Sequence, residues 1–373
     1  MEFQKEYENI VSECTSSDRL KELTSLKSKL SKKTVALFGA AWIGDFVYDR
    51  LCSMGVKPVC FIDNFASGVT PHGNGPILKP ADFISQYSDF YIILTLDRAK
   101  EIVYQQLLEL GVQEQQIIAD AKLLITPLTL DSFDSHVEGY KWAYNFFTDS
   151  ISKQIIIDRI RCYLLGSNVI RSDSPQYFEK NLFEFSDSEV FVDGGFFTGD
   201  TAEEFIRVTN GRYKKIYGFE PDQYVREKMN PNLNNEKIEI ICAGLYSSTG
   251  TVSFATTEGS SAASGGNVIG EVENQSENVI SIPTVSIDDF FADKPIELQP
   301  TFIKMDIEGS EMAALQGAIH TIQKHRPKLA ICVYHKPEDI YELTKFIYDL
   351  CPSYKFTLRH YAHYFWETVL YAY

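Results

Sequence analysis

The stretch FVDGGFFTGDTAEEF, Phe191 to Phe205, constrains the fold more than any other part of the chain. It reads as a buried strand (Glu189 to Val192), a glycine turn (Gly194, Gly195, Gly199) and a helix opened by Asp200 and Thr201, the order of a ligand-binding strand–loop–helix unit in an α/β sheet. Its charge separates it from a phosphate cradle. Asp193 stands directly before the glycines and Asp200 directly after them, where a pyrophosphate would be repelled and a cationic ligand attracted.

More acids follow at strand ends. The run Lys215 to Phe219 predicts a second strand closing on Glu220, 27 positions after Asp193, roughly the ~20-residue offset at which an acid meets a ribose diol in nucleotide-binding folds. Phe302 to Met305 predicts a strand ending at Asp306, with a helix led by Glu308 and Glu311; Lys328 to Tyr334 predicts one ending at His335. Side chains at the carboxyl ends of parallel strands line one crevice, so Asp193, Glu220, Asp306 and His335 are expected to meet. Glu308 and Glu311 have a plainer reading as acids favoured at a helix start. A ligand with a sulfonium, an ammonium and no phosphate suits such a crevice, which makes S-adenosylmethionine the expected cofactor. The chain closes with strands at Tyr354 to Leu358 and Glu367 to Tyr373, whose link is too short for a helix, so the last strand must run antiparallel.

At 373 residues the chain is long enough for two domains, each with its own core. A net charge of −16 argues against a nucleic-acid or anionic-membrane partner, whose phosphates would repel it. The polar start MEFQKEYENI shows no secretory signal, and no apolar run approaches the about 20 residues needed to span a bilayer. Seven scattered cysteines read as reduced, mostly buried thiols. A cytoplasmic location is expected.

Residues 1 to about 30 carry helical spacing and predict one or two surface helices. Thr34 to Phe38 then predicts a strand entering Gly39-Ala40-Ala41-Trp42-Ile43-Gly44 and a helix to about Met54; a strand from Pro58 ends at Asp63, 24 positions after Gly39. This loop is neutral and tolerates phosphate, so Gly39, Ala41, Gly44 and Asp63 are possible nucleotide-binding residues, although Ala41 replaces the middle glycine of the usual fingerprint. Strands at Phe90 to Thr95 and Gln116 to Ile118, with a helix from Arg98 to Leu110, complete a small doubly wound domain. Through FGAAWIGDFV, VCFIDN and the loop from His72 to Phe83 it resembles the nucleotide-sugar-binding N-terminal domain of bacterial sugar acyltransferases; a docking domain without ligand is the competing reading. Between Pro127 and Phe185 no strand is evident. Helices are expected over Val137 to Phe147, whose aromatics read as core, and over Ser150 to Leu165; Arg171 to Phe178 reads as a lid. Tyr246 to Thr257 predicts a hairpin turning at Ser248 to Gly250, and Glu258 to Gly266 a flexible loop.

The fold expected is therefore α/β: a doubly wound sheet with an antiparallel last strand over 186–373, as in class I methyltransferases, preceded by a smaller Rossmann-like domain at 1–126 and a helical connector at 127–185. Taken together, VFVDGGFFTGDTAEEF, YGFEPD, VSIDDFF, FIKMDIEGSEMAALQGA, LRHY and ETVLYAY resemble the FkbM family of S-adenosylmethionine-dependent methyltransferases. The resemblance implies that Asp193, Gly195 and Gly199 form the cofactor loop, that Glu220 takes the ribose hydroxyls, and that Asp306 lies beside the methionine end. Gly194, Phe196, Thr198, Asp200, Thr201, Pro221, Asp222, Ala243 and Gly244 are expected in the same site. Members typically O-methylate sugars or hydroxylated natural products, which implies a sugar, nucleotide-sugar or glycan acceptor and a place in polysaccharide biosynthesis. His335 or Asp306 is then expected to take the hydroxyl proton, with Lys304 or Glu308 orienting the acceptor. Asp306, Glu308 and His335 holding a divalent metal is a secondary reading, and no metal is expected. The alternative function is a nucleotide-sugar-binding protein whose second domain is a degenerate, non-catalytic methyltransferase.

Overall fold

The computed structural model describes residues 2–70, 73–96, 99–222, 226, 229–233, 235–255 and 279–373. It divides into two compact units, Met1–Ser135 with Ile157–Val169 and His136–Ile156 with Ile170–Tyr373.

In the first unit, helices Glu2–Cys14 and Ser17–Leu30 precede a six-stranded sheet. The second helix starts where Ser16 Oγ accepts the Arg19 N–H, satisfying one of the donors a helix N-terminus leaves over. The strands are β1 (Thr34–Phe38), β2 (Cys60–Ile62), β3 (Gly68–Val69), β4 (Pro76–Leu78), β5 (Phe90–Leu94) and β6 (Ile117–Ile118), in the order β3-β4-β2-β1-β5-β6. All pairings are parallel except β3 with β4. Ala36, Phe38, Ile62, Ile92 and Leu94 pack with Phe83 and Leu107 from the flanking helices, as expected of parallel strands covered on both faces.

The second unit is built on β7 (Val190–Gly194), β8 (Lys215–Phe219), β9 (Ile238–Ile241), β13 (Phe302–Met305), β14 (Lys328–Cys332), β15 (Phe356–His360) and β16 (Thr368–Ala372), ordered β15-β16-β14-β13-β7-β8-β9. Only β16 runs against its neighbours, as the short link before it requires. The direction of strand addition reverses between β7 and β13, and the ligand crevice of such a sheet opens at that point. Beneath it lies an aromatic core: Phe191 of β7, Phe302 of β13 and Phe205 of the helix Asp200–Val208 meet Phe178 and Phe185 from the segment before β7. Each aromatic contact adds about 0.5–1.5 kcal/mol to the burial of its rings. On the other side of the unit the helix Val137–Phe146 buries Tyr140 and Tyr144 and crowds its Gly139 against Tyr341.

Two sequence expectations change. Gly244–Leu245 (β10) and Gly250–Ala255 (β11) do not form a hairpin with each other; both pair with β12 (Val279–Val285), β10 parallel and β11 antiparallel, in a separate three-stranded sheet. The local turn at Ser248 to Gly250 is compatible with either arrangement, and the longer partner wins. The segment from Arg171 is fastened down rather than free to close: Ser172 N–H donates to the His360 carbonyl at 2.8 Å, and Glu179 accepts from Ser172, Ser174 and Tyr361 hydroxyls. Cys52 and Cys242 are exposed while Cys60, Cys162, Cys332 and Cys351 are buried, and none is in a disulfide. Burial pushes the Cys60 thiol up to about 12, so a thiol reagent is expected to label Cys52 and Cys242 within minutes and Cys60 only on unfolding, read by mass. The expected loop Glu258 to Gly266 lies outside the described residues. Among the described residues no helix is long and apolar enough to cross a membrane.

Candidate active site

Register brings the site together. Asp193 of β7 is the Cα partner of Lys304 on β13 and of Gly218 on β8, and Gly194 stands level with Met305 and Phe219. The residues one step further on, Gly195, Glu220 and Asp306, therefore leave the sheet side by side at its carboxyl edge. Gly195 has φ +75°, and a Cβ there would stand 1.9 Å from the Asp306 carbonyl oxygen. Only glycine allows that approach. Gly195→Ala is accordingly expected to destabilise the protein by more than about 2 kcal/mol, the sum of left-handed strain and collision, read by denaturant unfolding.

Asp193 and Lys304 form an ion pair beneath the loop, 3.0 Å apart with side chains 0% and 2% exposed. The Lys304 ammonium also donates to the carbonyls of Gly194 and Gly195, at 3.0 and 2.8 Å. Burial pushes the Asp193 carboxyl up to about 6 against the pull of Lys304. Burial likewise works to lower Lys304, but Asp193 and Asp306 outweigh it and keep the ammonium charged. The expectation that Lys304 orients an acceptor is corrected: it has no free face and instead clamps the glycine turn. Lys304→Met leaves Asp193 without its counter-charge and is expected to cost about 3–5 kcal/mol of stability, measurable by urea unfolding.

Above this pair the loop turns through left-handed positions at Gly195, Phe197 and Gly199. Phe196 points down into the core, against Gly218, so its side chain does not line the crevice as expected; Phe197 is exposed instead. The Phe197 N–H donates to Glu220 Oε2 at 3.0 Å and the Asp222 N–H to Oε1 at 2.9 Å. These bonds fix the Glu220 carboxylate at the crevice edge, where burial raises it and the two N–H groups oppose the rise. Asp200 and Thr201 open the helix, Thr198 accepts the Asn230 N–H, and Gly244 lies beside Pro221, just after the buried Ala243. The loop residues and Glu220 thus share one edge of the sheet.

The opposite wall is formed by Asp306, Glu308 and His335. Tyr177 donates to Asp306 Oδ2 at 2.7 Å and Tyr334 to Oδ1 at 2.9 Å. His335 Nε2 lies 3.4 Å from Asp306 and 3.7 Å from Glu308, and its Nδ1 lies 3.2 Å from Glu311. Burial acts to lower the imidazole, but Glu311, Asp306 and Glu308 lift it to about 10. Around neutral pH it is an imidazolium without a lone pair for a proton, so the assignment of His335 as base is corrected. Asp306 is corrected too, because both its oxygens are engaged by tyrosine hydroxyls and by His335. Glu308 remains: it sits at φ +56°, a strained conformation for a non-glycine residue, with 45% of its side chain exposed. Tyr177 and Glu311 were not anticipated as site residues. Glu311 carried a signal in its spacing from Asp306 and Glu308, but its burial, 1%, is a tertiary fact.

In the first unit Asp63 does reach the Gly39 loop, where its Oδ2 accepts the Ala40 N–H at 3.2 Å. Its other oxygen accepts from Phe65 and Ala66 at 2.8 and 2.9 Å. Burial works to raise this carboxyl and the three backbone donors hold it below the usual range. Gly44 packs against the Gly39 carbonyl. The carboxylate thus shapes the turn through three backbone donors.

A seven-stranded sheet with one reversed strand, a glycine turn and an acid at the end of the next strand define a class I methyltransferase fold. Residues 193–364 match the family model described as the methyltransferase FkbM domain. The crystal structure of methyltransferase FkbM from Methylobacillus flagellatus KT has the same fold: it is 24% identical, covers 93% of each chain and superposes with a TM-score of 0.62. No curated protein matches the chain.

Proposed function

We propose that this protein is an S-adenosylmethionine-dependent O-methyltransferase that acts in the cytoplasm on a hydroxyl of a sugar, nucleotide-sugar or glycan. The observation that carries the reading is the meeting of Gly195, Glu220 and Asp306 at one sheet edge, with Glu308 beside them. The donor chemistry fits the cofactor. Asp193, Asp200, Glu220 and Asp306 outnumber Lys304 and Arg226 around the loop, so a sulfonium and an ammonium restore balance where a pyrophosphate would worsen it. In this assignment Glu220 takes the ribose hydroxyls and the loop backbone carries the methionine end. S-adenosylmethionine, when bound, supplies a methyl group activated by its positive sulfur.

The chain's own part is to position, to exclude water and to remove a proton. Holding the acceptor oxygen in line with the methyl–sulfur bond provides most of the acceleration, since near-attack geometry is worth about 7–11 kcal/mol in well-oriented systems. Glu308, the carboxylate with the largest exposed fraction on this wall, receives the hydroxyl proton as the carbon–oxygen bond forms. The electron pair of the broken carbon–sulfur bond stays on sulfur, and the proton passes from Glu308 to solvent. His335, as an imidazolium 3.7 Å away, offsets the charge developing on the oxygen.

Incubating the purified protein and the methyl donor with a panel of nucleotide sugars and polysaccharide fragments, read by mass, tests this directly. Gain of one methyl on a hydroxyl is expected. Methylation only of amines or carboxylates would overturn the O-specificity.

A further inference from the structure

Glu311 has no part in the methyl-transfer reading, yet its carboxylate is buried, 1% exposed, against a residue that does. Its Oε1 accepts the Ile307 N–H at 2.9 Å, four residues back, and so ties off the turn that runs from Asp306 into the helix Glu311–Gln316. That turn carries Glu308 at φ +56° and Gly309 at φ +90°, two left-handed residues in succession, and it sets Glu308 on the crevice wall. The same oxygen lies 3.2 Å from His335 Nδ1. An acid at a helix start needs only the first of these contacts. The second reaches a different strand end, beyond β14.

We propose that Glu311 is a positioning residue for the transfer: it ties the turn that presents Glu308 and holds the His335 ring from its Nδ1 side, leaving Nε2 to face Asp306 and Glu308. The distances divide the ring's neighbours in this way, with Nε2 3.4 Å from Asp306 and 3.7 Å from Glu308. Neither of those two acids serves to hold the ring through the reaction. Asp306 already accepts from the Tyr177 and Tyr334 hydroxyls, and Glu308 loses its charge when it takes the acceptor's proton. Glu311 takes no proton in the reaction and acts through His335 and through the turn. The other charged groups packed here are Asp339, at the start of the helix Asp339–Leu350, and Lys336, which donates its ammonium to the Gly309 carbonyl at 3.0 Å and its N–H to Asp339 at 2.8 Å. Burial, with Glu311 adding to it, pushes Asp339 up to about 7. Lys304 bears on Asp306, and Glu367, ahead of β16, bears on Glu308. The role in transfer rests on the proposed function, whereas the hold on the ring does not.

Glu311→Gln separates the two contacts, because the amide oxygen still accepts the Ile307 N–H while the charge opposite Nδ1 is gone. In full-length protein carrying ¹³C-labelled histidine, the His335 ring is titrated by NMR, its resonance assigned by its loss in His335→Asn. Burial acts to lower the wild-type ring, and Glu311, Asp306 and Glu308 lift it to about 10. In Glu311→Gln the midpoint is expected to fall by at least about one unit, a tenfold loss of proton affinity. The ring's charge is present below its midpoint and lost above it, so the alkaline limb of kcat, measured on the hydroxyl acceptor that the panel identifies, moves to lower pH with it. The Kd for S-adenosylmethionine stays within about twofold of wild type. A wild-type midpoint near the ordinary imidazole value of about 6.5, an unmoved midpoint in Glu311→Gln, or a kcat lowered equally at every pH would each overturn the proposal. A shifted midpoint in a protein that methylates no hydroxyl would contradict the proposed function alone.

Discussion

Glu220→Ala is expected to weaken S-adenosylmethionine binding by about 100-fold or more, read by calorimetry. The carboxylate does two jobs that alanine cannot. It accepts the N–H groups of Phe197 and Asp222, at 3.0 and 2.9 Å, and so fixes the glycine loop to the end of β8. In the proposed assignment it also accepts from the ribose hydroxyls, and hydrogen bonds to a charged group contribute about 1.5–3 kcal/mol each. Losing both a ligand contact and the loop anchor exceeds 2.7 kcal/mol, which is the ~100-fold. Glu220→Gln separates the two, because an amide retains one acceptor while its NH₂ faces a backbone donor. Its affinity should fall between those of wild type and alanine. A Glu220→Ala protein that folds and binds as tightly as wild type would place the cofactor elsewhere.

Glu308→Gln is expected to lower kcat by about 10²-fold or more while leaving the Kd for S-adenosylmethionine within a factor of about two. The amide keeps the shape and the exposed position of Glu308 but cannot receive a proton. His335→Gln makes the useful contrast. It removes the imidazolium between Asp306, Glu308 and Glu311, so it should disturb the wall as a whole and raise KM as well as lower kcat. If turnover persists in Glu308→Gln and is lost only in His335→Gln, the proton goes to the imidazole instead of the Glu308 carboxylate.

The framework of this site was legible in the sequence because it depends on local signals. Glycines bound to a strand end, and acids at Asp193, Glu220 and Asp306 following apolar runs, need only strand direction to converge, and register brings them together at one edge. The reversed last strand was equally readable, since the short link after β15 leaves no alternative. Roles that depend on which way a side chain turns were not readable. Lys304 lies one residue before the end of β13, and only its cross-strand pairing with Asp193 shows that it points beneath the loop. Phe196 looked like a crevice residue until Gly218 gave it a place in the core. His335 looked like a base because a sequence shows the imidazole without the three acids that protonate it. Tyr177 reaches Asp306 from a segment 129 positions away, a contact no periodicity announces.

Calorimetric titration of the purified wild-type protein with S-adenosylmethionine tests the account most directly, with a uridine diphosphate sugar titrated in parallel. Saturable one-to-one binding of the methyl donor is expected, and its loss in Glu220→Ala. Heat from the nucleotide sugar alone, with none from the methyl donor at millimolar concentration, would contradict it.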